Sequence, residues 1–307
     1  MANRNLSGWR PDIPDIRDLA FAAPGALVAA LPTATNNRAR ITSPIYDQGD
    51  IGSCGPHSCS ADIQFDGDAA GVSLRPSRLF GYYVTRVEMG TVNQDSGVSN
   101  REMLKAYAKY GWCDEDLCPY ETRNYKSKPS DAAYEQAASR RIDSYLRVPQ
   151  ILDQMKACLA GGDPFIFGFS VYTSFESQEV ARTGVVPMPN PRSDRQIGGH
   201  DVLIVDYDDA KQCFTFRNSW GAGWGDKGYG YMPYAYALHP QLASDFWTIR
   251  WKVTPVPVPT PTPEPLPDAP KVSIHLDYPD GRKWVADGSM RPDGTVSFVQ
   301  CPPGVLS

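Results

Sequence analysis

"YDQGDIGSCGPHSCSADIQFD", residues 46–66, places two cysteines five positions apart behind a loop punctuated by Gly49 and Gly52. A helix beginning at the Gly52-Ser53-Cys54 turn accounts for the pattern. Ser53 is an N-capping residue type, and Pro56 is tolerated because the first turn needs no amide donor. Cys54 then sits at the positive end of the helix, where unpaired amides and the dipole favour the thiolate, the attacking form of cysteine. Cys59 lies about 140° further round at ~3.6 residues per turn and reads as a core thiol. Gln48, six residues upstream of Cys54, can bring a side-chain amide alongside the Cys54 N–H, and two such donors make an oxyanion hole. The glycines permit the close backbone approach that a hole requires. Donors beside a thiolate point to acyl transfer.

A thiolate nucleophile needs a histidine to pair with it and to protonate the leaving group. The chain has His57, His200, His239 and His275. His200 follows two glycines, Gly198 and Gly199, and opens the strand-like run "HDVLIVDYDD", 200–209. The turn "DDAK", 208–211, sends the chain back through "CFTFRNSW", 213–220, as a hairpin. With the turn centred between Asp209 and Ala210, His200 falls opposite residue 219 and within one residue of Asn218. The Asn218 side chain can then accept the second ring N–H and set the tautomer, while Trp220 shields that bond from water. His57, one turn from Cys54, reads as helix packing or cleft wall; His239 and His275 read as incidental.

The remainder of the chain is compatible with this chemistry. Its 307 residues, 41% apolar and 21% charged, supply one large domain or two smaller ones with a real core. No run approaches the ~18 apolar residues of a membrane span, and "MANRNLSGWRPDIPDIRD" at the start lacks the apolar segment of a secretory signal. The expected compartment is therefore open between cytoplasm and a non-classical export route. A net charge of -5 without a basic run argues against a nucleic-acid partner. Seven cysteines with no pair of C-x-x-C motifs argue against a zinc site and for at least one free thiol. No cofactor or metal is expected.

Residues 1–40 read as an extended arm laid on a domain. From 41 to 253 the pattern is α+β, helical first ("SNREMLKAYAKYG", 99–111) and strand-like later ("PFIFGFSVY", 164–172). Residues 254–270, including "TPVPVPTPTPEPLP", read as a polyproline-type linker. Residues 271–307 carry two Pro-Asp-Gly turns between short strand-like runs, a small β-hairpin segment that is a candidate contact to another protein or a surface.

"QGDIGSCGPHS", "GGHDVLIVDY" and "RNSWGAGWGDKGYGYM" resemble, in order, the Cys, His and Asn blocks of papain-like cysteine peptidases, with His200 and Asn218 following Cys54 by 146 and 164 residues. The arm motif "GWRPDIPDIRDLAF" and "ITSPIYDQGDIGSCG" are most similar to a bacterial branch of that family. The resemblance covers 41–253. It implies a helical left domain and a β-barrel-like right domain with the cleft between them. It also implies Cys54 as nucleophile, His200 as general acid and base, Asn218 as orienter, and Gln48 with the Cys54 amide as oxyanion hole. "NQDSGVS", 93–99, resembles the strand whose backbone holds substrate, which makes Ser96, Gly97 and Val98 binding candidates beside Gly199 and Trp220.

The chain departs from the family pattern at several positions. Ile51 stands where a disulfide cysteine is usual, and Gly55 where an aromatic is usual. Cys113 and Cys118 are either a local bridge or two thiols. Asp201 replaces a small apolar residue at the wall of the pocket for the second residue upstream of the cut bond. It is expected either to favour basic or polar side chains there or to pair with a nearby arginine. The arm is expected to act as an inhibitory flap or as a structural brace. An endopeptidase working on peptide or protein substrates is the leading reading. Transfer to an amine, as in a transpeptidase or an amidase on cell-wall peptides, would use the same residues; a catalytically silent binding module is weighed down by the intact Cys, His, Asn and Gln set.

Overall fold

The computed structural model describes residues 5–251, 271–277, 283–290 and 296–298. It divides into two compact units, residues 1–254 and 255–307; the Pro-rich stretch lies outside the described residues. In chain order the elements are β1 (Trp9–Arg10), α1 (Gly25–Ala29), α2 (Cys54–Ala69), α3 (Arg78–Glu88), β2 (Val98–Ser99), α4 (Asn100–Tyr110), α5 (Asp131–Ala138), β3 (Ser144–Arg147), α6 (Leu152–Ala160), β4 (Phe165–Tyr172), α7 (Gln178–Thr183), β5 (Gln196–Asp208), β6 (Cys213–Arg217), β7 (Tyr229–Pro233), α8 (Tyr234–Ala237) and β8 (Ala243–Arg250). In the second unit, β9 (Lys271–Asp277), β10 (Lys283–Met290) and β11 (Val296–Phe298) form an antiparallel three-stranded sheet. Among the described residues no helix is long and apolar enough to cross a membrane.

The first unit has the two-lobed α+β layout, with α2 to α5 in one half and a six-stranded sheet of order β3-β8-β4-β5-β6-β7 in the other. Of the 16 residues of α2, 13 are buried, so the helix is enclosed on all sides and no amphipathic period marks it. Its small residues Gly55, Ser58, Ser60 and Ala61 are what let its neighbours approach. Ser77 caps α3 by accepting from Phe80 N at 3.1 Å, and Ser130 caps α5 through Ala133 N at 3.3 Å.

Strand pairing sorts the sheet's two faces. Phe165, Phe167 and Phe169 of β4 pair with Ile204, Val202 and His200 of β5 and face a core shared with Phe214, Phe216, Trp220 and Phe246. The alternate residues Ile166 and Leu203 face the helical half, in a core with Ile63, Tyr107 and Trp247. Paired residues of antiparallel strands share a face, so Gly168 and Asp201, which also pair, look toward the helices. The β5–β6 register corrects the turn-centred reading: Asp208 pairs with Cys213 and Leu203 with Arg217. The loop is two residues longer on the β6 side, with Gln212 at a left-handed φ of 53°, and an irregularity between Ile204 and Asp206 recovers one of them.

The arm wraps the sheet half. Arg147 N donates to Leu19 O and Phe21 N to Arg147 O, both at 2.8 Å, and the Tyr207 hydroxyl donates to Pro32 O at 2.6 Å. Buried Asp206 fastens its far end, accepting from Thr35 Oγ1 at 2.8 Å, Asn37 N at 2.5 Å and Arg38 N at 2.9 Å. Asp206→Ala strands these donors in a buried setting, at ~1–3 kcal/mol for each unsatisfied group. Hydrogen exchange should then accelerate at the Asn37 and Arg38 amides ahead of the sheet amides; unchanged protection there would refute Asp206 as the anchor.

Candidate active site

Helix α2 begins at Cys54, but Ser53 does not cap it with its side chain. Tyr120 donates its hydroxyl proton to Gln48 O at 2.8 Å, so the 2.6 Å contact between Ser53 Oγ and Tyr120 Oη is a donation by the serine. That relay ties the helix start to the Gln48 loop. His57, one turn on, donates from Nδ1 to Ser53 O at 2.8 Å and sits edge-on to Tyr46 and Tyr120. Burial, with Arg78 nearby, holds its imidazole down to about 3. It is a packing group.

Cys54 is fully buried. The backbone N–H groups of Asp201, Gly55 and Cys54 itself face the thiol and favour its anion. They are outweighed by burial first and the Asp201 carboxyl second, which push the thiol well above its ordinary value. Burial therefore opposes the expected thiolate in this arrangement, because helix-end amides stabilise a charge by less than complete desolvation costs it. Cys113 and Cys118 are both free thiols, as are Cys59, Cys158 and Cys213.

On β5, His200 Nε2 donates to Asn218 Oδ1 at 2.8 Å. Ser219 N donates to the same oxygen at 2.8 Å, which fixes the orientation of the Asn218 amide independently of the imidazole. With Nε2 donating to Asn218, Nδ1 is the ring nitrogen that faces the task of exchanging a proton. Trp220 covers the imidazole at a ring separation of 4.9 Å, and Phe169 flanks it at 5.7 Å. The loop holding Asn218 is stitched to the loop holding Gln48: Gln48 N donates to Ser219 O at 2.9 Å and Gly221 N to Tyr46 O at 2.8 Å. Ser219 Oγ donates to Gln48 Oε1 at 2.7 Å, and Gln48 Nε2 donates to Ile51 O at 3.1 Å. The second Nε2 hydrogen remains for another acceptor. Ser219 carries no chemistry signal of its own in the sequence, yet it holds the amides of both Gln48 and Asn218.

The arm crosses this site. Gly199 N donates to Leu6 O at 2.6 Å and Val98 N to Gly8 O at 2.9 Å; Trp9 and Arg10 pair in parallel with Val98 and Ser99. Residues 5–10 thus bridge the helical half and the sheet half along a line that passes the nucleophile. A Cβ on Gly8 would stand 2.5 Å from Cys54 Sγ, so only a glycine fits there. Gly97 has a φ of 66° and lies against the carbonyls of Ser7 and Gly8, which any side chain would overlap. Ser96 Oγ instead donates within its own turn, to Thr91 Oγ1 at 2.8 Å, and does not point at the arm's backbone. The Trp9 indole lies over Gly168 and Gly199, and a Cβ at Gly168 would run into it. The lone glycine in "FIFGFSV" is the sequence signal for such a close approach.

Just beyond, Asp12 is held from four sides. Its Oδ1 accepts from Arg101 N at 2.9 Å, and its Oδ2 from Trp247 Nε1 at 2.9 Å and Arg147 Nη2 at 3.1 Å. Its own N–H donates to Asp245 Oδ2 at 2.8 Å. Asp18 completes the cluster by pairing with Arg101 and Arg147. Burial first, and Asp245 second, push the Asp12 carboxyl up to about 6 despite those donors. Asp201 does not pair with an arginine: it is fully buried, and the one polar side chain that eases its carboxylate is that of Asn100.

Comparison with known proteins agrees with this architecture. Residues 31–245 match the profile of the papain family cysteine proteases. An uncharacterized peptidase C1-like protein of Acanthamoeba polyphaga mimivirus is 31% identical, over 90% of this chain and 96% of its own. The cathepsin B-like CP3 of Giardia intestinalis is 29% identical over 60% of this chain, which spans 62% of that protein. The crystal structure of xylellain, a cysteine protease from Xylella fastidiosa, superposes with a TM-score of 0.75 at 40% identity, covering 82% of this chain and 99% of that one. Membership implies peptide or protein substrates and the hydrolase activity of a thiol protease. The chain belongs to the papain family of cysteine proteases.

Proposed function

We propose that the protein is a cysteine endopeptidase that cleaves through a thioester acyl-enzyme and is held latent by residues 5–10 of its own arm. Cys54 Sγ attacks the peptide carbonyl carbon while the carbonyl oxygen takes up negative charge against Gln48 Nε2 and the Cys54 N–H. His200 carries the thiol's proton on Nδ1 and hands it to the leaving amine as the C–N bond breaks. Water then attacks the thioester, His200 receives its proton, and the C–S bond breaks to release the acid and restore the thiol. Asn218 keeps Nε2 protonated throughout and so keeps Nδ1 as the working nitrogen. The observation that carries this reading is the His200–Asn218 bond, locked from behind by Ser219 N, on the strand whose next backbone amide faces Cys54 Sγ.

Latency rests on the passage of Gly8 across the sulfur. An occupant at that distance excludes a scissile carbonyl, and the burial it imposes keeps the nucleophile neutral. The arm is also a brace from residue 12 onward, so flap and brace are successive parts of one segment.

The direct test keeps the full chain. Gly8→Phe cannot be seated against Cys54, so hydrolysis of a fluorogenic peptide should rise by about tenfold or more as the competent fraction grows, and Cys54→Ala added to it should abolish the activity. No rise, with the fold intact by circular dichroism, would refute the latency. In the Gly8→Phe background, Asn218→Ala should lower kcat by roughly 10²-fold with little change in KM; an equal effect on KM would point to substrate binding instead.

Docking should also depend on pH. Asp12 binds its proton more tightly docked than free, so its contribution to docking is full below its ordinary carboxylate range and is lost progressively as pH rises through about 6. The activity ratio of Gly8→Phe to wild type should therefore be larger near pH ~4 than near pH ~7, and Asp12→Asn should flatten it. A ratio that grows toward neutral pH would contradict the linkage.

A further inference from the structure

On one face of the sheet Trp9 Nε1 lacks a partner, and the buried carboxyl of Asp201 meets no cation, only the Asn100 side chain. Gly168 and Asp201 are register partners on β4 and β5, so their side chains leave the sheet side by side, roughly 5 Å apart at Cβ. The pyrrole edge of Trp9, with Nε1, fills the place a Gly168 side chain would take, and its benzo edge covers Gly199. The indole therefore lies beside Asp201 without bonding to it. Around the carboxyl stand Cys54 and Gly55 of α2, the Asn100 side chain of α4, Asp245 of β8 and Asp12 of the arm; none of these is a cation.

We propose that the slot filled by Trp9 is the site's main specificity pocket and that Asp201 at its floor selects an arginine or lysine side chain of the substrate; this rests on the peptidase reading above. Three features support it. First, an apolar pocket has no use for a buried carboxyl with no cation beside it, which is costly to desolvate, whereas a guanidinium or ammonium would satisfy it. Second, departure of the arm removes both the covering indole and the nearby negative charge of Asp12. Both changes favour the ionised carboxylate that a cation needs. Third, the slot already holds a side chain as long as the Trp9 indole, which reaches from Gly199 to Gly168, and the outer side of Trp9 borders a cavity of ≈ 290 Å³ lined by Ser170, Gln196 and Ser244. Glycine at 168 and 199 is what keeps the slot open between the two strands.

The arm itself serves as the probe, in the full chain and without catalysis. The amides of Val98 and Gly199 bond to Gly8 O and Leu6 O, so their hydrogen-exchange protection reads arm docking directly. Trp9→Arg, Asp201→Asn and the double variant form a cycle with wild type. A charge-assisted bond predicts that Trp9→Arg keeps about tenfold more protection at Val98 and Gly199 with Asp201 present than with Asp201→Asn. Equal protection in the two backgrounds would overturn the proposal. A second readout uses Trp9→Ala, which vacates the slot, with fluorogenic peptides carrying arginine, leucine or tryptophan two residues before the cut. The arginine-to-leucine ratio of kcat/KM should fall about tenfold on adding Asp201→Asn. A coupled cycle with no hydrolysis of any peptide would keep the pocket and defeat the peptidase reading. Hydrolysis with an unchanged ratio and no coupling would defeat the pocket alone, and a preference for tryptophan in both backgrounds would assign it to aromatic side chains.

Discussion

A side chain at residue 55 would end 2.8 Å from Val98 Cγ2 and 3.3 Å from Asp201 Oδ2, and its absence is what lets the first turn of α2 press simultaneously against β2 and β5. Every other feature of the site depends on that three-way contact. It brings the Asp201 amide to Cys54 Sγ, sets His200 one residue away, and places the Val98 and Gly199 amides on opposite sides of a gap one extended strand wide. The glycine that departs from the family's usual aromatic is therefore a packing requirement of this chain. Shielding of the nucleophile is supplied from elsewhere, by Gly8 and Trp9.

The same narrow gap explains why the arm needs so little structure. Residues 5–10 form no helix and have no core of their own; they borrow an amide from each wall and insert one indole between β4 and β5. The stronger attachment lies further on, in the cluster of Asp12, Asp18 and Asp245 with Arg101 and Arg147. Three carboxyls against two guanidiniums leave excess negative charge in a buried place, and a proton is the cheapest way to relieve it. The disfavoured Cys54 thiolate and the raised Asp12 carboxyl thus have a common first cause, desolvation by burial.

Much of the site was legible in the sequence because its parts are local. Cys54 at a glycine-flanked helix start, Gln48 in the preceding loop, His200 on a strand and Asn218 just past the end of its neighbour are each marked by residue type and short-range spacing. The hairpin arithmetic brought the last pair together while misplacing the register, since neither Gln212 in the left-handed region nor the irregularity near Val205 leaves a signature in residue type. The α+β order was also legible, helices before strands. The helix that carries the nucleophile was found by its start and not by its periodicity, because burial on all sides erases the apolar stripe. What stayed hidden is non-local. Ser53 spends its hydroxyl on Tyr120, 67 residues away, instead of capping, and Trp9 finds its slot against Gly168. Nor could composition reveal that burial would disfavour the Cys54 thiolate, since that follows from what covers it.

The central claim is that Cys54 is a competent nucleophile kept shut by the arm. Intact-mass spectrometry after brief exposure to an active-site-directed epoxide tests it most directly, comparing wild type, Gly8→Phe, and Gly8→Phe with Cys54→Ala. The account predicts little adduct in wild type, a single adduct in Gly8→Phe, and none once Cys54 is removed. An adduct that survives Cys54→Ala, or none in a folded Gly8→Phe chain, would contradict it.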